Sequence, residues 1–549
     1  MHVILLTALL LQSPNDIVEP NVQVRTPDGA IVCALIVRPP PDTAQRLPAL
    51  LTFTIYVDSA ANVAEGRRTA AHGYAAVVGY TRGKACSTGP IEPYRHDGAD
   101  AAALIDWIAR QPWSDGRVGM YGGSYSGFTT WAAAKRMPKP LKAIMVGAPV
   151  GPGIDVPMEG NIVWNFLYPW PFYTTNNKTL DNATYFDNAR WNGLNRAWYV
   201  SGRAYRDLDK IDSTPNPVFD EWIAHSSYDA YWRDLIPSPG EFKQITIPVL
   251  QTVGYFWGGP GAALYYFQQH ASPRHYLLIG PYNHPQAQRG VVDARGDTSK
   301  TLGGYEIDPV ARIDMVAELR YAWFDWVLKG GPRPRLLEDR VNYEVMGANM
   351  WRHAPSIAAM SDTLLHMQLI PEQTLQVDLA DRHDIDSIFP GGNLRDRAVN
   401  THNALEYVSA PLDDETEVSG IYSGHLEFVT NKRDVDFSIQ LFELTSSGEY
   451  FMLPPSQQRA SYSRDPAKRR LLRPGARETL DFAARVLVSR RFAKGSRVVV
   501  VIGPIKGPGQ QINYGSGKEV NDETVADAGE PLEIRMLGAS YIALPARKR

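Results

Sequence analysis

The sequence predicts a doubly wound α/β sheet with an inserted helical cap, followed by an all-β sandwich. Three observations predict it. Short apolar runs alternate with helical stretches over residues 22–147, an aromatic-rich segment interrupts that rhythm over 151–243 before it resumes, and short strands separated by Pro, Gly and Asp fill the chain after Pro332. At 549 residues the chain is several times the usual domain size, so more than one domain is expected.

The N-terminal region begins with a hairpin and continues with strands that are buried on both faces. Pro27-Asp28-Gly29 separates two alternating runs, which is typical of a hairpin turn. Four apolar runs without period-two alternation follow at 49–55, 74–78, 117–121 and 143–146. Parallel strands covered by helices have this pattern. Apolar residues recur at helical spacing over 97–111 and directly after Ser124, and they predict the helices of a doubly wound sheet.

The segment 151–243 predicts a mostly helical cap. It is rich in aromatic residues, including Trp164, Tyr168, Trp170, Phe172, Tyr173, Trp191, Trp198, Trp222 and Trp232. These rings indicate either a dry pocket for an apolar or aromatic acyl group or the cap's own core. The sheet pattern resumes at 247–253 and 275–279, and a helical stretch follows at 311–328.

The C-terminal part predicts a β-sandwich of the jelly-roll kind. Its expected strands are 341–345, 364–369, 425–430, 436–442, 498–502 and 541–544. We therefore divide the chain into an N-terminal extension or signal at 1–19, an α/β domain at 20–150 and 244–332, the cap at 151–243, and the sandwich at 333–549.

Composition excludes several classes of partner. The net charge is −3, the pI is near 6.5, and there is no run of five Lys or Arg, so we expect no nucleic-acid partner.

The apolar run 3–11 has the length of a signal-peptide core, but no Lys or Arg precedes it and no Ala-x-Ala site follows it. Cytoplasmic and exported locations both stay open. No other apolar run is long enough for a membrane span.

The two cysteines, Cys33 and Cys86, are too few for a disulfide framework or a cysteine zinc site, and they could pair if the protein is exported. There is no Walker-type loop and no His-Glu-x-x-His pattern, so we expect no cofactor and no metal. The oligomeric state stays open.

The segment Gly119 to Phe128 places Ser124 between glycines where a predicted strand ends and a helix begins. A nucleophile elbow requires this context, because only small neighbours let the strand and the helix approach around a strained serine. The usual second glycine is here Ser126, which is still small, and Gly127 follows it. The alternative is a serine used only as a turn residue or helix cap. We expect Ser124 to be a nucleophile that attacks an ester or amide carbonyl.

At this point the chain resembles the superfamily of cocaine esterases, α-amino-acid ester hydrolases and X-prolyl dipeptidyl peptidases. The resemblance rests on the run from Gln111 to Gly119 that leads into Ser124-Tyr125, on Arg82-Gly83 with Ser87 and Gly89, on Gly280-Pro281-Tyr282-Asn283-His284, and on Ser540, Leu544 and Pro545. It covers nearly the whole chain. It implies an α/β-hydrolase domain, a helical cap, and a C-terminal jelly-roll packed beside the active site.

A base and an oxyanion hole complete the expected chemistry. His284 is the candidate base, because it follows the last strand predicted for the sheet and matches the family's Gly-Pro-x-x-His pattern; the alternative is a surface histidine. The backbone N–H of Tyr125 is one expected oxyanion donor. The resemblance implies a second, the hydroxyl of Tyr56, although Ile55 replaces the family's proline there. An ordinary tyrosine at a strand end is the alternative.

The sequence departs from the family's pattern at the position of the catalytic acid. The resemblance places the family's aspartate after a Gly-aromatic-aromatic run, and here Trp257 follows Gly254-Tyr255-Phe256. Loss of the acid can cost about 10⁴ in rate. Three interpretations stay open: another carboxylate substitutes, the enzyme works poorly, or the site binds without turnover. Asp293 lies nine positions beyond His284, but proximity in sequence does not assign it.

The expected substrate is a small ester or amide. The stretch after the expected acid, Gly258-Gly259-Pro260, lacks the carboxylates with which α-amino-acid ester hydrolases bind an ammonium group, so strict selection for amino esters is doubtful. The stretch from Pro217 to Trp232 nevertheless resembles that subgroup. An X-prolyl dipeptidyl-peptidase-like aminopeptidase is the alternative within the same chemistry.

Overall fold

The structure is a computed structural model that describes residues 16–40, 46–256, 259–291, 299–385 and 393–548. The expected signal-like run near the N-terminus, Trp257 and Asp293 lie outside the described residues.

The chain opens with the alternation of strands and helices that the sequence predicts. The elements are β1 (Ile17–Arg25), β2 (Ile31–Arg38), β3 (Leu47–Thr54), α1 (Ser59–Ala71), β4 (Ala75–Tyr80), α2 (Asp97–Ala109), β5 (Ser114–Ser124), α3 (Tyr125–Lys135) and β6 (Leu141–Pro149). β1 and β2 form the predicted antiparallel hairpin, and β3 pairs in parallel with β4 and β5, as β5 does with β6. Every residue of β4 is buried, as in a sheet covered on both faces.

The segment after β6 is the largely helical cap. It contains β7 (Met158–Glu159), β8 (Ile162–Val163), α4 (Pro169–Thr175), α5 (Asn182–Tyr185), α6 (Asn188–Ser201), α7 (Leu208–Asp212), α8 (Pro217–Ala224), α9 (Ala230–Arg233) and α10 (Pro239–Gln244). Of the aromatic residues named above, Trp164 and Tyr173 are partly exposed and the other seven are buried. For most of these rings, burial supports the interpretation as the cap's own core.

The chain then returns to the sheet. The elements are β9 (Val249–Gly254), α11 (Pro260–Gln269), β10 (His275–Gly280), α12 (His284–Arg289), β11 (Thr301–Leu302), β12 (Tyr305–Glu306), α13 (Tyr321–Lys329), β13 (Val341–Val345) and β14 (Met350–Ala354). Within the described residues the sheet has ten strands in the order β1-β2-β4-β3-β5-β6-β9-β10-β13-β14. All strands from β3 to β13 along this order run parallel.

This order corrects one prediction. The sequence assigned 341–345 to the sandwich and made 275–279 the last strand of the α/β sheet. Both assignments are wrong, because β13 pairs in parallel with β10 in that sheet. β14 then pairs antiparallel with β13 at the edge of the sheet. All five residues of β13 are buried. A short buried run has the same appearance in either sheet, so its pattern does not tell which sheet it joins. The proposed boundaries at 150, 243 and 332 stay predictions.

The remaining strands form two antiparallel sheets, consistent with the predicted jelly-roll-like domain. They are β15 (Thr363–Gln368), β16 (Gln373–Val377), β17 (Arg395–Asp396), β18 (Leu405–Val408), β19 (Thr416–Gly420), β20 (Ser423–Thr430), β21 (Asp436–Leu444), β22 (Tyr450–Met452), β23 (Ser456–Arg459), β24 (Arg477–Ala483), β25 (Val488–Phe492), β26 (Arg497–Pro504), β27 (Leu532–Met536) and β28 (Tyr541–Lys548). Backbone hydrogen bonds join this domain to the cap, from Asn165 to the Gly509 carbonyl, and to the end of β13, from Met346 to the Ser489 carbonyl. In the described ranges, no helix combines the length and the apolar character needed to cross a bilayer.

Candidate active site

Ser124 lies on a strained turn between a strand and a helix. It is the last residue of β5 and the N-cap of α3, with φ 55° and ψ −123°. A positive φ is uncommon for a residue with a Cβ, and the surrounding structure must hold it in place. This is the backbone conformation that the sequence predicts for a nucleophile elbow.

The small residues around Ser124 let the strand and the helix meet. A Cβ on Gly122 would lie 2.6 Å from Cβ of Ser126, and a Cβ on Gly127 would lie 2.8 Å from Cα of Pro149. Ser126, which stands where a nucleophile elbow usually has its second glycine, is buried and donates to Oγ1 of Thr54 at 2.9 Å. This hydrogen bond satisfies its hydroxyl and ties the turn to the end of β3.

Tyr56 reaches the serine from the end of β3. Its backbone N–H donates to Oγ1 of Thr54 at 3.0 Å, so Thr54 connects the Tyr56 loop with the Ser126 side of the turn. The Tyr56 hydroxyl accepts from Nε1 of Trp170 at 3.2 Å, and the Ser124 hydroxyl lies close enough to lower the pKa of Tyr56. Burial raises the pKa of Tyr56 to about 12, and the contacts with Trp170 and Ser124 act in the opposite direction. The hydroxyl therefore keeps its proton at neutral pH and remains a donor.

Tyr125 has its backbone, and not its side chain, beside Ser124. As the first residue of α3 it has an N–H without an acceptor inside the helix. Its side chain points into the core, where Oη donates to the Asp97 carboxyl at 2.9 Å and accepts from the Tyr94 N–H at 3.1 Å. Burial raises the pKa of Asp97 to about 7. These contacts anchor the start of α3 in the core.

His284 begins α12, beyond the end of β10. Asn283 and Gln286 form a reciprocal capping box with backbone contacts of 2.9 and 3.0 Å, which fixes where this helix starts. The helix lies across the carboxyl edge of the sheet, since Oγ1 of Thr252 in β9 donates to the Ala287 carbonyl at 2.6 Å. His284 is partly exposed.

Gln288 connects the histidine's helix to the serine's turn. Its Nε2 donates to the His284 carbonyl at 2.9 Å. The same side chain lies against Gly123, where an added Cβ would be 2.5 Å from Cδ of Gln288. Ser124 and His284 therefore lie at the same edge of the sheet, and Gln288 is one helical turn from the histidine.

The position expected for the catalytic acid, 257, lies outside the residues that the structure describes. β9 ends at Gly254, where a Cβ would lie 2.5 Å from the Tyr282 carbonyl carbon, so this glycine lets the β9 and β10 loops pack together. Tyr255 and Phe256 are buried, and the chain is next described at Gly259. Position 257 and the role assigned to it stay a prediction.

Two carboxyl groups that sequence reasoning missed lie beside the loop after β9. Asp155 is buried and accepts from the Gly151 and Ala262 amides, each at 2.9 Å, so it caps α11 from a distant loop. Glu159 has an oxygen 3.7 Å from a Cβ built on Gly261. Burial raises the pKa of Asp155 to about 7 and raises that of Glu159, which the charge of Arg485 opposes. No local motif marks either residue as a neighbour of α11, because Ala262 and Gly261, which they contact there, lie far away in the sequence.

Among the residues that the structure describes, no group of three or more His, Cys, Asp or Glu is arranged to hold a metal ion.

A serine on a strained strand-to-helix turn, with a histidine at the same edge of a parallel sheet, defines a serine hydrolase of the α/β-hydrolase class. Residues 28–286 match the family described as X-Pro dipeptidyl-peptidase (S15 family), and residues 338–526 match the X-Pro dipeptidyl-peptidase C-terminal non-catalytic domain. The chain belongs to the cocaine esterase and X-Pro dipeptidyl-peptidase superfamily, and it is a serine hydrolase. The resemblance predicted from the sequence is confirmed.

Individual relatives agree with this membership. The chain is 26% identical to the cocaine esterase of a Rhodococcus species over 97% of this chain and 99% of that protein. Its fold is similar to that of an aminopeptidase from a marine sediment Thaumarchaeota archaeon, with a TM-score of 0.77 at 18% identity and 97% coverage of both chains. An α-amino acid ester hydrolase gives a TM-score of 0.75 at 19% identity, also with 97% coverage of both. At these identities the two structures show the fold alone.

Proposed function

We propose that the chain cleaves the acyl bond of small esters or amides through a covalent intermediate on Ser124. Ser124 Oγ attacks the carbonyl carbon while its proton passes to the His284 imidazole. The tetrahedral intermediate places its negative oxygen between the Tyr56 hydroxyl and the Tyr125 backbone N–H. The carbon–oxygen or carbon–nitrogen bond of the leaving group then breaks as the imidazolium returns the proton to it. A water molecule repeats the sequence on the acyl-enzyme and releases the acid.

The observation that carries the proposal is the position of Ser124. It is held at a positive φ at the start of α3, with its hydroxyl close to the protonated Tyr56 hydroxyl. A donor beside the nucleophile, aimed where negative charge develops, is what acyl transfer requires.

The proposal is tested by labelling the folded protein with a fluorophosphonate and mapping the modified peptide. We expect one adduct, on Ser124, that the substitution Ser124→Ala abolishes. Ser126→Ala is the matched control, because it removes the other hydroxyl of the same turn and should leave the labelling intact. A folded protein that carries no adduct on Ser124, or carries it on another residue, contradicts the proposal.

A second candidate is an aminopeptidase that resembles the X-prolyl dipeptidyl peptidases. It would need a carboxylate for the free N-terminus of a peptide, and Glu159 beside Gly261 is the observation that favours it. The neighbouring Arg485 charge weakens that role, because it competes for the carboxylate. A nitrophenyl-ester assay run beside a Gly-Pro-anilide assay separates the two candidates. We expect ester cleavage, and cleavage of the anilide alone would reverse the preference.

A further inference from the structure

The Tyr56 hydroxyl has one neighbour from the cap and one from the sheet domain. Trp170, in α4 of the cap, donates its indole N–H to Oη of Tyr56 at 3.2 Å. The Ser124 hydroxyl, at the end of β5, lies close enough to the same oxygen to lower the pKa of Tyr56. The cap thus contacts a group that the proposed function places in the oxyanion hole.

The chemistry of the two side chains fixes the direction of this hydrogen bond. An indole N–H only donates, whereas a phenol hydroxyl has one hydrogen and oxygen lone pairs. Trp170 therefore occupies a lone pair of Tyr56, and the single Tyr56 hydrogen cannot point at the indole. The hydrogen is thereby left for another acceptor, and Ser124 is among the groups close enough to affect the pKa of Tyr56. A donor bonded to the phenol oxygen also strengthens that phenol as a donor to a negative oxygen.

The indole itself is held firmly. Trp170 is buried, its ring stacks with Tyr94 at a centroid distance of 6.1 Å, and it packs on Trp222 at 5.8 Å. The end of α4 and the turn after it are bound by Lys84, whose Nζ donates to the carbonyls of Thr174 at 2.7 Å, Asn177 at 2.9 Å and Thr179 at 2.6 Å. Because Lys84 lies in the loop after β4, it fastens α4 to the sheet domain.

We propose that Trp170 is a positioning residue that turns the Tyr56 hydroxyl hydrogen toward the oxyanion, so that the cap completes the oxyanion hole. This inference rests on the proposed role of Tyr56. It predicts that the indole N–H acts on the chemical step through Tyr56, and not by shaping the pocket.

The test is a double-mutant cycle with Trp170→Phe, Tyr56→Phe and both substitutions, assayed on a nitrophenyl ester. We expect Trp170→Phe to lower kcat about tenfold, the effect of losing one hydrogen bond, with little change in KM. Tyr56→Phe should lower kcat by about 10²-fold or more. The double variant should be no slower than Tyr56→Phe alone. Trp323→Phe is the matched control, because it makes the same truncation at a buried tryptophan of α13 whose ring packs on Tyr276 and Trp326, and it should keep kcat near the unsubstituted value.

Each contrary result contradicts a different part of this inference. If Trp170→Phe slows the Tyr56→Phe background by the same factor as the unsubstituted chain, the indole acts independently of Tyr56 and the inference is overturned. A change confined to KM also overturns it. If Tyr56→Phe leaves kcat unchanged while Ser124 is still labelled, the oxyanion role of Tyr56 fails, and the inference fails with it. Should Trp170→Phe not fold, benzothienylalanine at position 170 keeps the indole shape without the N–H and replaces it in the cycle.

Discussion

The side chain of Gln288 lies against the backbone of Gly123, the residue before Ser124, while its amide nitrogen holds the carbonyl of His284. One side chain therefore sets the separation between the turn that carries the serine and the helix that carries the histidine.

Gly123→Ala should lower activity because the new Cβ collides with Gln288. The φ of Gly123 lies outside the left-handed region, so alanine is allowed by the backbone and the collision is the main effect. The displaced Gln288 would lose its bond to the His284 carbonyl, and we expect kcat/KM for a nitrophenyl ester to fall about tenfold, since small misplacements of catalytic groups are costly.

Gln288→Ala alone removes the bond to the His284 carbonyl without a collision, and adding it to Gly123→Ala removes the colliding atoms, so the double variant should be no slower than Gln288→Ala alone. Gly193→Ala is the control, because that glycine lies inside α6 with nothing within 4 Å of an added Cβ. A Gly123→Ala enzyme with unchanged kcat/KM, or a double variant that is slower than Gln288→Ala alone, would contradict this account.

The turn around Ser124 could be predicted from the sequence, because its determinants are local. Gly122, Ser124 and Ser126 lie within a few positions of one another, and the close approach of Gly122 to Ser126 is local in the sequence. The contact between Trp170 and Tyr56 spans 114 positions, and the cap of α11 by Asp155 spans 107, so no pattern within a window of sequence reports either one. The same limit explains the wrong placement of 341–345: its residues encode a buried strand but not the partner strand.

Trp257→Asp should increase turnover. The acid of a serine hydrolase holds the histidine in its productive tautomer and stabilises the imidazolium, and its absence can cost about 10⁴ in rate. Because the resemblance assigns the acid to this position, an aspartate there should raise kcat at least tenfold, measured on the same ester. Trp257→Asn is the matched control, because it has the size of aspartate without the charge and should give no gain. An unchanged rate for Trp257→Asp would mean that another acid already serves.

Stability should fall in mild acid because of a buried histidine pair. His270 and His275 are buried with their Nδ1 atoms 3.1 Å apart, and Nε2 of His275 has no hydrogen-bond partner in the described part of the chain. Burial lowers the pKa of both, and for His275 the nearby His270 and Arg340 lower it further, to well below 6.5. The unfolded chain therefore binds more protons below about pH 6.5, so the stability present above that pH is lost as the pH falls toward the folded pKa.

The measurement is the midpoint of urea unfolding at pH 7.5 and at pH 5.5. Asp97 and Asp155, whose pKa values burial raises to about 7, act in the opposite direction over this pH range and are the same in every variant compared. We therefore expect acidification to lower the midpoint more in the unsubstituted chain than in His275→Phe, which keeps a ring but cannot be protonated. His383→Asn, which removes an exposed histidine, should keep the full difference. If His275→Phe keeps it as well, the buried pair is not the cause.

Asp436→Ala should strongly destabilise the sandwich. Arg459 and Asp436 form a two-point ion pair at 2.8 and 2.7 Å, with side-chain exposures of 2% and 1%. Arg459 also donates to Oε1 of Gln511 at 2.7 Å, and that oxygen accepts from the Val163 amide of the cap at 3.0 Å. Removing one partner leaves a buried charge uncompensated, which costs about 3–5 kcal/mol.

Thermal melting should therefore show a large drop in the melting temperature of Asp436→Ala. Replacing both partners, with Asp436→Leu and Arg459→Met, removes the uncompensated charge and should recover at least half of that drop. Asp481→Ala, at an exposed carboxylate of the same domain, should change the melting temperature little. Equal melting temperatures for Asp436→Ala and Asp481→Ala would show that the buried pair contributes no more than a surface one.

Because the Gln511 contact extends from the pair to Val163, a loss of esterase activity in Asp436→Ala below its melting temperature would indicate that the sandwich also holds the cap in place over Ser124.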